Sequence, residues 1–410
     1  MKIAACIPTY RHPEVIKDVL QKSIKNYYDC GIDIYYFDSS EDDETEKVVS
    51  SYREQGFDNL YYVKLSSEYD PAKKIELIFR GGIDGNLKKY DYIWPVKDRS
   101  YCPKETLLEI VNQIEEQSDI MVLGGLTEIS RHLLYDKADK FYKDWGWIVT
   151  SLDITIYKQS SMLKDCNMEL DELSGLEYMK SWIQYVFLFR KLEKLDKKRI
   201  IVLCDNIWVY NSDLGESSWL NSDKVWKVAK DYWIEANENL SDCYNEYKNT
   251  VIKQFTMLPW ILGGRTRLME LHQKGILTPE SYESVLVNWN KVSDIPIMTV
   301  YEIAHGMYDP AHDLGAADCM KGDKTIDILI KITEMIKKGK ISKEQIPFDD
   351  IEMCINADLI EKERYPADVL NLISGSVNDI KAYIMRDGTD REGVCHAMQL
   401  LVDFTLLAKS

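Results

Sequence analysis

From Met1 to about Leu123, short apolar or β-branched runs alternate with amphipathic stretches, the pattern of repeated strand–helix units on a parallel sheet. Lys2 to Ile7 reads as a buried strand. Pro13 opens a helix, since a first helical turn has no use for the N–H that proline lacks, and Val15, Ile16, Val19, Leu20 and Ile24 form its apolar stripe. Ile32 to Phe37 predicts a second strand, Asp42 or Asp43 caps a helix carrying Val48 and Val49, and Leu60 to Leu65 predicts a third strand. A helix from Pro71 through Ile75 and Ile78 stops near Gly81 and Gly82, and Tyr92 to Val96 predicts the fourth strand. Pro103 opens another helix, and Ile120 to Leu123 predicts the fifth strand.

Between Thr127 and Asn211 the pattern is mixed: an aromatic segment FYKDWGWIV, a strand after Asp153, a helix from Leu176 to Leu195 and a strand from Arg199 to Tyr210. Beyond about Trp219 only helical periodicity remains, interrupted by MYDPAHDLGAADCMKGDK, where Pro, Gly and Asp cluster. The expected division is an α/β domain over 1–215, a helical region over 216–318 and a helical subdomain over 319–410 for oligomerisation or partner docking.

Composition narrows the classes. A chain of 410 residues exceeds what one core usually supports, and 45% hydrophobic with 29% charged residues is ordinary for a folded protein. The formal charge of −17 argues against a general nucleic-acid partner, which needs a basic face. Nine scattered cysteines with no C-x-x-C pair indicate neither a disulfide framework nor a zinc knuckle, and fit a reducing, cytoplasmic setting. No apolar run of about 18 residues is present. QFTMLPWILGG is apolar enough to lie on a membrane, at the inner face, or on another copy of the chain, although a buried core explains such runs more often. His305 and His312 have no helical metal-pair spacing.

Three segments carry candidate chemistry: CIPTYRHPEVIKDVL, YYFDSSEDDET and KYDYIWPVKDRSYCPKETLLEIV. Ligands of open α/β sheets bind beyond the carboxyl ends of the strands, so Thr9, Tyr10, Asp38 and Asp98 are placed to face one ligand. Singly, each segment also reads as an ordinary turn or helix cap. In order and spacing, the three resemble the family 2 glycosyltransferases of the GT-A fold. The resemblance covers about the first half of the chain. It implies a Rossmann-like, nucleotide-sugar-binding domain followed by a mainly α-helical region, and an activity that moves a sugar from a nucleoside diphosphate, UDP above all, to a hydroxyl of a glycan, glycolipid or protein with inversion. Pro8, Thr9, Tyr10 and Arg11 would then touch the nucleotide, with Asp38 and Ser40 at the uracil or ribose. On the helix after the third strand, Lys73, Lys74 or Arg80 would reach the phosphates, Lys73 being preferred, against the ordinary reading of a solvated helix face.

The sequence departs from the family at its metal motif, where Lys97, Asp98 and Arg99 stand in place of acidic residues. Lys and Arg neutralise a diphosphate directly, Arg bidentately, so the first expectation is a donor site that requires no metal. The alternatives are Mn²⁺ or Mg²⁺ held by Asp98, or a non-catalytic nucleotide-sugar-binding or assembly subunit. The family's Glu-Asp pair for the catalytic base is also missing. Glu177 and Asp171 are the preferred replacements, with Asp98 as a further catalytic candidate and Asp153 as an outside one; helix-end charges explain the first two equally. Trp145, Trp147 and Trp182 are candidate stacking surfaces for the acceptor, and core packing explains them as well. A nucleotidyltransferase would open on a Gly-rich phosphate loop, and Lys2 to Pro13 contains no glycine.

Overall fold

Ile3–Thr9 forms β1, whose continuous apolar run suits a strand covered on both faces. It is followed by α1 (Pro13–Asp29), β2 (Ile32–Asp38), α2 (Glu44–Glu54), β3 (Leu60–Lys64), α3 (Pro71–Phe79) and β4 (Tyr92–Pro95). Then come β5 (Ser100–Tyr101), α4 (Lys104–Gln113), β6 (Ile120–Leu123), β7 (Leu133–Tyr135), α5 (Ala138–Trp145), β8 (Thr155–Lys158), α6 (Asn167–Leu173), α7 (Met179–Lys194), β9 (Ile200–Leu203) and β10 (Tyr210–Asn211). The computed structural model describes residues 2–114, 117–124, 132–204, 207–214, 219–295, 297–306, 308, 323–340, 342–346, 348, 351, 377–386 and 388–407.

The chain divides into two compact units, Met1–Ser218 with Asp231–Phe255, and Trp219–Lys230 with Thr256–Ser410. Both expected domain boundaries, at 215/216 and 318/319, fall outside the described residues, as does His312.

The first unit is built on an eight-stranded sheet of order β3-β2-β1-β4-β8-β6-β9-β7. The half made of β3, β2, β1 and β4 is parallel, β8 runs antiparallel to both its neighbours, and β9 is parallel to β6. The predicted α1 stripe of Val15, Ile16, Val19, Leu20 and Ile24 is buried. Gly81 and Gly82 follow α3 at φ +99° and +76°, the left-handed region glycine enters without strain. The strand expected from Arg199 to Tyr210 is instead two short ones. The hydroxyl of Thr106 accepts from the Trp208 N–H at 2.9 Å and donates to its carbonyl at 3.3 Å, so that backbone pairs with a side chain in place of a strand. The second piece, β10, pairs with β5 outside the main sheet.

Residues 231–255 contribute an aromatic knot to this unit. Trp233 of α8 (Trp233–Glu238) packs on Trp182, Tyr185 and Phe255 at centroid distances of 4.9, 4.6 and 4.7 Å. Beside it, Asn237 Oδ1 accepts hydrogen bonds of 2.7 Å from both Tyr142 and Tyr185.

One buried charge fixes the segment after β4. Asp153, 3% exposed, lies in the turn before β8 and accepts from Ser151 at 2.6 Å and Ser100 at 2.5 Å, with Lys97 Nζ 3.5 Å away. Burial pushes its carboxyl pKa up, and the Lys97 charge with the two hydroxyls more than offsets this, so the net shift is downward.

The second unit is helical. Its members include Arg265–Gln273, Tyr282–Leu286, Trp289–Val292, Ile297–Ala304, Asp323–Lys337 and Arg391–Leu407, around a core with Leu268, Leu271, Val285 and Trp289. Among the described residues this unit has no strand, and no helix of either unit is long and apolar enough to cross a membrane.

Two stability predictions follow from this packing. Trp182→Ala should cost about 3–5 kcal/mol in urea unfolding, the loss typical of a core aromatic, whereas a ring reserved for sugar stacking would leave stability near wild type. Lys97→Met strands the Asp153 carboxylate. Breaking a buried pair costs about 3–5 kcal/mol, and the partial exposure of Lys97 reduces this to about 2 kcal/mol at pH 7. Because the folded Asp153 pKa is depressed, the pair's stabilisation is complete above the unfolded value near 4 and is lost as pH falls through the folded one. A variant penalty equal at pH 7 and pH 3 would refute that account.

Candidate functional site

β1 lies between β2 and β4, with Thr9 paired to Asp38 and Cys6 paired to Pro95. The chain winds from β1 outward to β3 and then returns to the other side of β1, so a topological switch point falls between β1 and β4. Crevices at such points, beyond the carboxyl ends of the strands, are where open α/β sheets take ligands. Two loops border this one: Thr9 to His12 after β1, and Val96 to Arg99 after β4.

Asp98 joins the two loops. Its Oδ2 accepts from the Thr9 hydroxyl at 3.1 Å and from Nδ1 of His12 at 2.8 Å. The hydrogen bond to Asp98 raises the His12 pKa; burial and the charges of Arg99 and Lys74 pull against it. Arg11 is held at φ +55°, a left-handed conformation that costs a non-glycine residue about 1–2 kcal/mol. Its N–H donates to Ser40 Oγ at 2.7 Å, and its guanidinium pairs with the exposed Glu41 at 2.9 Å. Tyr10, 40% exposed, also donates to Glu41. Pro8, half-buried, ends the strand that delivers these residues.

Asp38 is not at the surface of this crevice. It is fully buried, with Oδ1 taken by the Ser40 N–H and hydroxyl at 2.9 and 2.5 Å and Oδ2 by the Tyr62 hydroxyl at 2.9 Å. Instead of offering an oxygen to a base or ribose, it orients Ser40, which in turn holds the Arg11 backbone. Sequence reasoning placed Asp38 at the correct strand end and missed that its own turn and Tyr62 consume both oxygens.

The basic residues divide in the same way. Lys97 is committed to Asp153 and to the Ser151 hydroxyl, while Arg99 is half-buried at the crevice rim, its carbonyl accepting from the Ser212 N–H at 2.8 Å. Lys73 is exposed and donates to the Glu68 carbonyl. Lys74, which the sequence reading set aside in favour of Lys73, is 2% exposed, and its ammonium donates to the Thr9 carbonyl. A lysine sharing the buried stripe of Ile75, Ile78 and Phe79 was the sequence signal for it. Arg80, at the other end of α3, pairs with Glu76 and Asp171 at 2.6 Å.

The base candidates separate by their place on α3. Asp171 bonds Arg80 at the end of that helix remote from the crevice. Glu177, exposed, pairs with Lys180 at 2.8 Å, and Lys180 also senses the charge of Asp70, which caps the crevice end of α3. Of the two, Glu177 is the one on the side of the Asp70 cap. Trp145 and Trp182 are 3% and 4% exposed core residues, and Trp147 is half-buried, its ring N–H donating to the Asp144 carbonyl.

The donor atoms do not fit a protein-held divalent cation. Asp98 is a single carboxylate between Lys97 and Arg99, with one oxygen already holding two donors. Among the described residues no three His, Cys, Asp or Glu side chains gather to bind a metal.

No protein-family model matches the sequence, and no curated protein matches it. Among solved structures, S. aureus TarS 1–349 has a similar chain trace, with 16% identity, 90% of this chain and 93% of that chain covered, and a TM-score of 0.47. The same protein in complex with UDP gives 17% identity, coverages of 74% and 87%, and a TM-score of 0.41. The chain spans about half, 52%, of the longer TarS chain. Mannosyltransferase PcManGT from Pyrobaculum calidifontis, in complex with GDP-Man and Mn²⁺, gives 12% identity, coverages of 74% and 86%, and a TM-score of 0.42. The fold class agrees with the α/β, Rossmann-like domain followed by a mainly α-helical region that the sequence predicts.

Proposed function

We propose that the protein is a glycosyltransferase that binds a nucleoside-diphosphate sugar, UDP-linked by preference, in the crevice between β1 and β4. The observation that carries this reading is the junction at Asp98, which ties the Thr9–His12 loop to the Lys97–Arg99 segment across the switch point. The nucleotide lies against Thr9 and Tyr10, beneath which Asp38 and Ser40 fix the loop. Arg99 and His12 face the diphosphate, and Lys97 contributes charge from its place over Asp153. A leaving diphosphate is neutralised by these cations directly, so no divalent metal is required. Glu177 is the proposed base for an acceptor hydroxyl of a glycan, glycolipid or protein, attack then proceeding with inversion. The helical second unit is proposed to dock the acceptor, a membrane surface or another copy of the chain.

A second reading, a nucleotide-sugar-binding subunit without catalysis, is favoured by one observation: Glu177 is already paired with Lys180 and lies largely in solvent. Slow release of UDP from a UDP-sugar separates the two, since a transferase leaks sugar to water and a binding subunit does not.

Charge-assisted hydrogen bonds are worth about 1.5–3 kcal/mol each, or about tenfold to a hundredfold in affinity. Calorimetry with UDP should therefore give equal affinity in EDTA and in Mn²⁺, and a loss of at least about tenfold on Arg99→Ala. Strict dependence on Mn²⁺ with an unaffected Arg99→Ala variant would show that Asp98 recruits a metal.

A further inference from the structure

Lys74 is a lysine in a place where packing asks for an apolar side chain. It lies in the buried stripe of α3 with Ile75, Ile78 and Phe79, 2% exposed. Its ammonium donates to the Thr9 carbonyl and lies 5.8 Å from the centroid of the Tyr10 ring. The charges facing it are Asp38 from β2, Asp98 from the β4–β5 turn and Asp70 at the start of α3, with the His12 imidazole on the loop itself. Among the described residues none of the three carboxylates is within salt-bridge distance.

We propose that Lys74 is a positioning residue of the crevice: its buried ammonium clamps the Thr9 carbonyl and the Tyr10 ring, and so holds the loop after β1 in the form that takes a nucleoside diphosphate. This rests on the donor reading given above. The clamp acts through the loop, and Lys74 need not touch the ligand.

Burial pushes the Lys74 pKa down to about 8 against the pull of the three carboxylates. The folded value is thus below the unfolded one near 10.5, so the charged amine opposes folding below about pH 8, and that cost is relieved as pH rises from 8 towards 10.5. The clamp changes in the opposite sense, present below pH 8 and lost above it. Stability and ligand affinity should accordingly move in opposite directions, which a merely structural lysine would not produce.

The test compares wild type, Lys74→Met and Lys74→Arg by urea unfolding and by UDP calorimetry between pH 7 and pH 9. Wild-type affinity should fall about tenfold over that range, following the loss of the ammonium. Lys74→Met should be at least as stable as wild type at pH 7, bind UDP about tenfold more weakly, and lose much less affinity than wild type between pH 7 and pH 9. That variant retains His12, so its residual pH dependence is that of His12 and the difference from wild type isolates Lys74. Lys74→Arg should keep its affinity at pH 9, because a guanidinium stays charged. Wild-type affinity in the Met variant, or the same loss from pH 7 to 9, overturns the proposal. If wild type binds no UDP at any pH, the donor reading fails, and hydrogen exchange at the Arg11 amide decides the clamp: faster exchange in Lys74→Met at pH 7 upholds it, and equal exchange overturns it.

Discussion

The site depends on β1 having β2 on one side and β4 on the other. Parallel pairing on both sides brings the ends of three strands to the same edge, and the change of winding direction places a topological switch point there. Residues far apart in sequence become neighbours as a result, Thr9 with Asp98 at 3.1 Å and Arg11 with Ser40 at 2.7 Å. Both bonds cross the boundary between adjacent strand ends. Neither would survive a shift of one residue in register, because side chains on a strand alternate between faces.

Around that edge, charge is used in two layers. In the buried layer Asp38 is satisfied by neutral donors, Asp153 by hydroxyls and one lysine, and Lys74 by a carbonyl and an aromatic face. Each of these groups would be costly if left alone in the interior, and each is held by a different kind of partner. In the rim layer Arg11, Glu41, His12 and Arg99 meet solvent, and there exposed pairs contribute little to stability. The buried layer therefore sets the shape of the loops, while the rim layer contributes little to the fold.

Much of the architecture could be read in the sequence because it follows from periodicity and backbone chemistry. Pro13, Pro71 and the Gly81-Gly82 pair mark helix ends for reasons local to those residues, and the apolar stripe of α1 is a direct record of its buried face. The contacts of individual side chains have a different origin. Asp38, Lys97 and Trp182 were assigned by residue type and strand position, but what a side chain does depends on partners remote in sequence: Tyr62 for Asp38, Asp153 for Lys97, Trp233 and Phe255 for Trp182. Lys74 is the converse. Its position in an apolar stripe was visible, whereas the preference for Lys73 followed from helical spacing, which puts Lys73 on one face with Arg80.

The basic pair flanking Asp98 then resolves into two unlike residues. Lys97 turns inward and keeps Asp153 ionised in the core, which fixes the turn between β4 and β5; Arg99 remains at the rim. A carboxylate at position 97 would stand beside the buried Asp153 charge and raise the pKa of both, so an acidic motif here would require a different residue at 153. Position 98 is constrained from the other side, since one oxygen of its carboxylate is the acceptor for both Thr9 and His12, and an amide there would lack the charge that raises the His12 pKa. The sequence Lys97-Asp98-Arg99 is thus not a metal motif with its charges exchanged at random. Its first residue belongs to the core, its second joins two loops, and its third lies half-buried near His12.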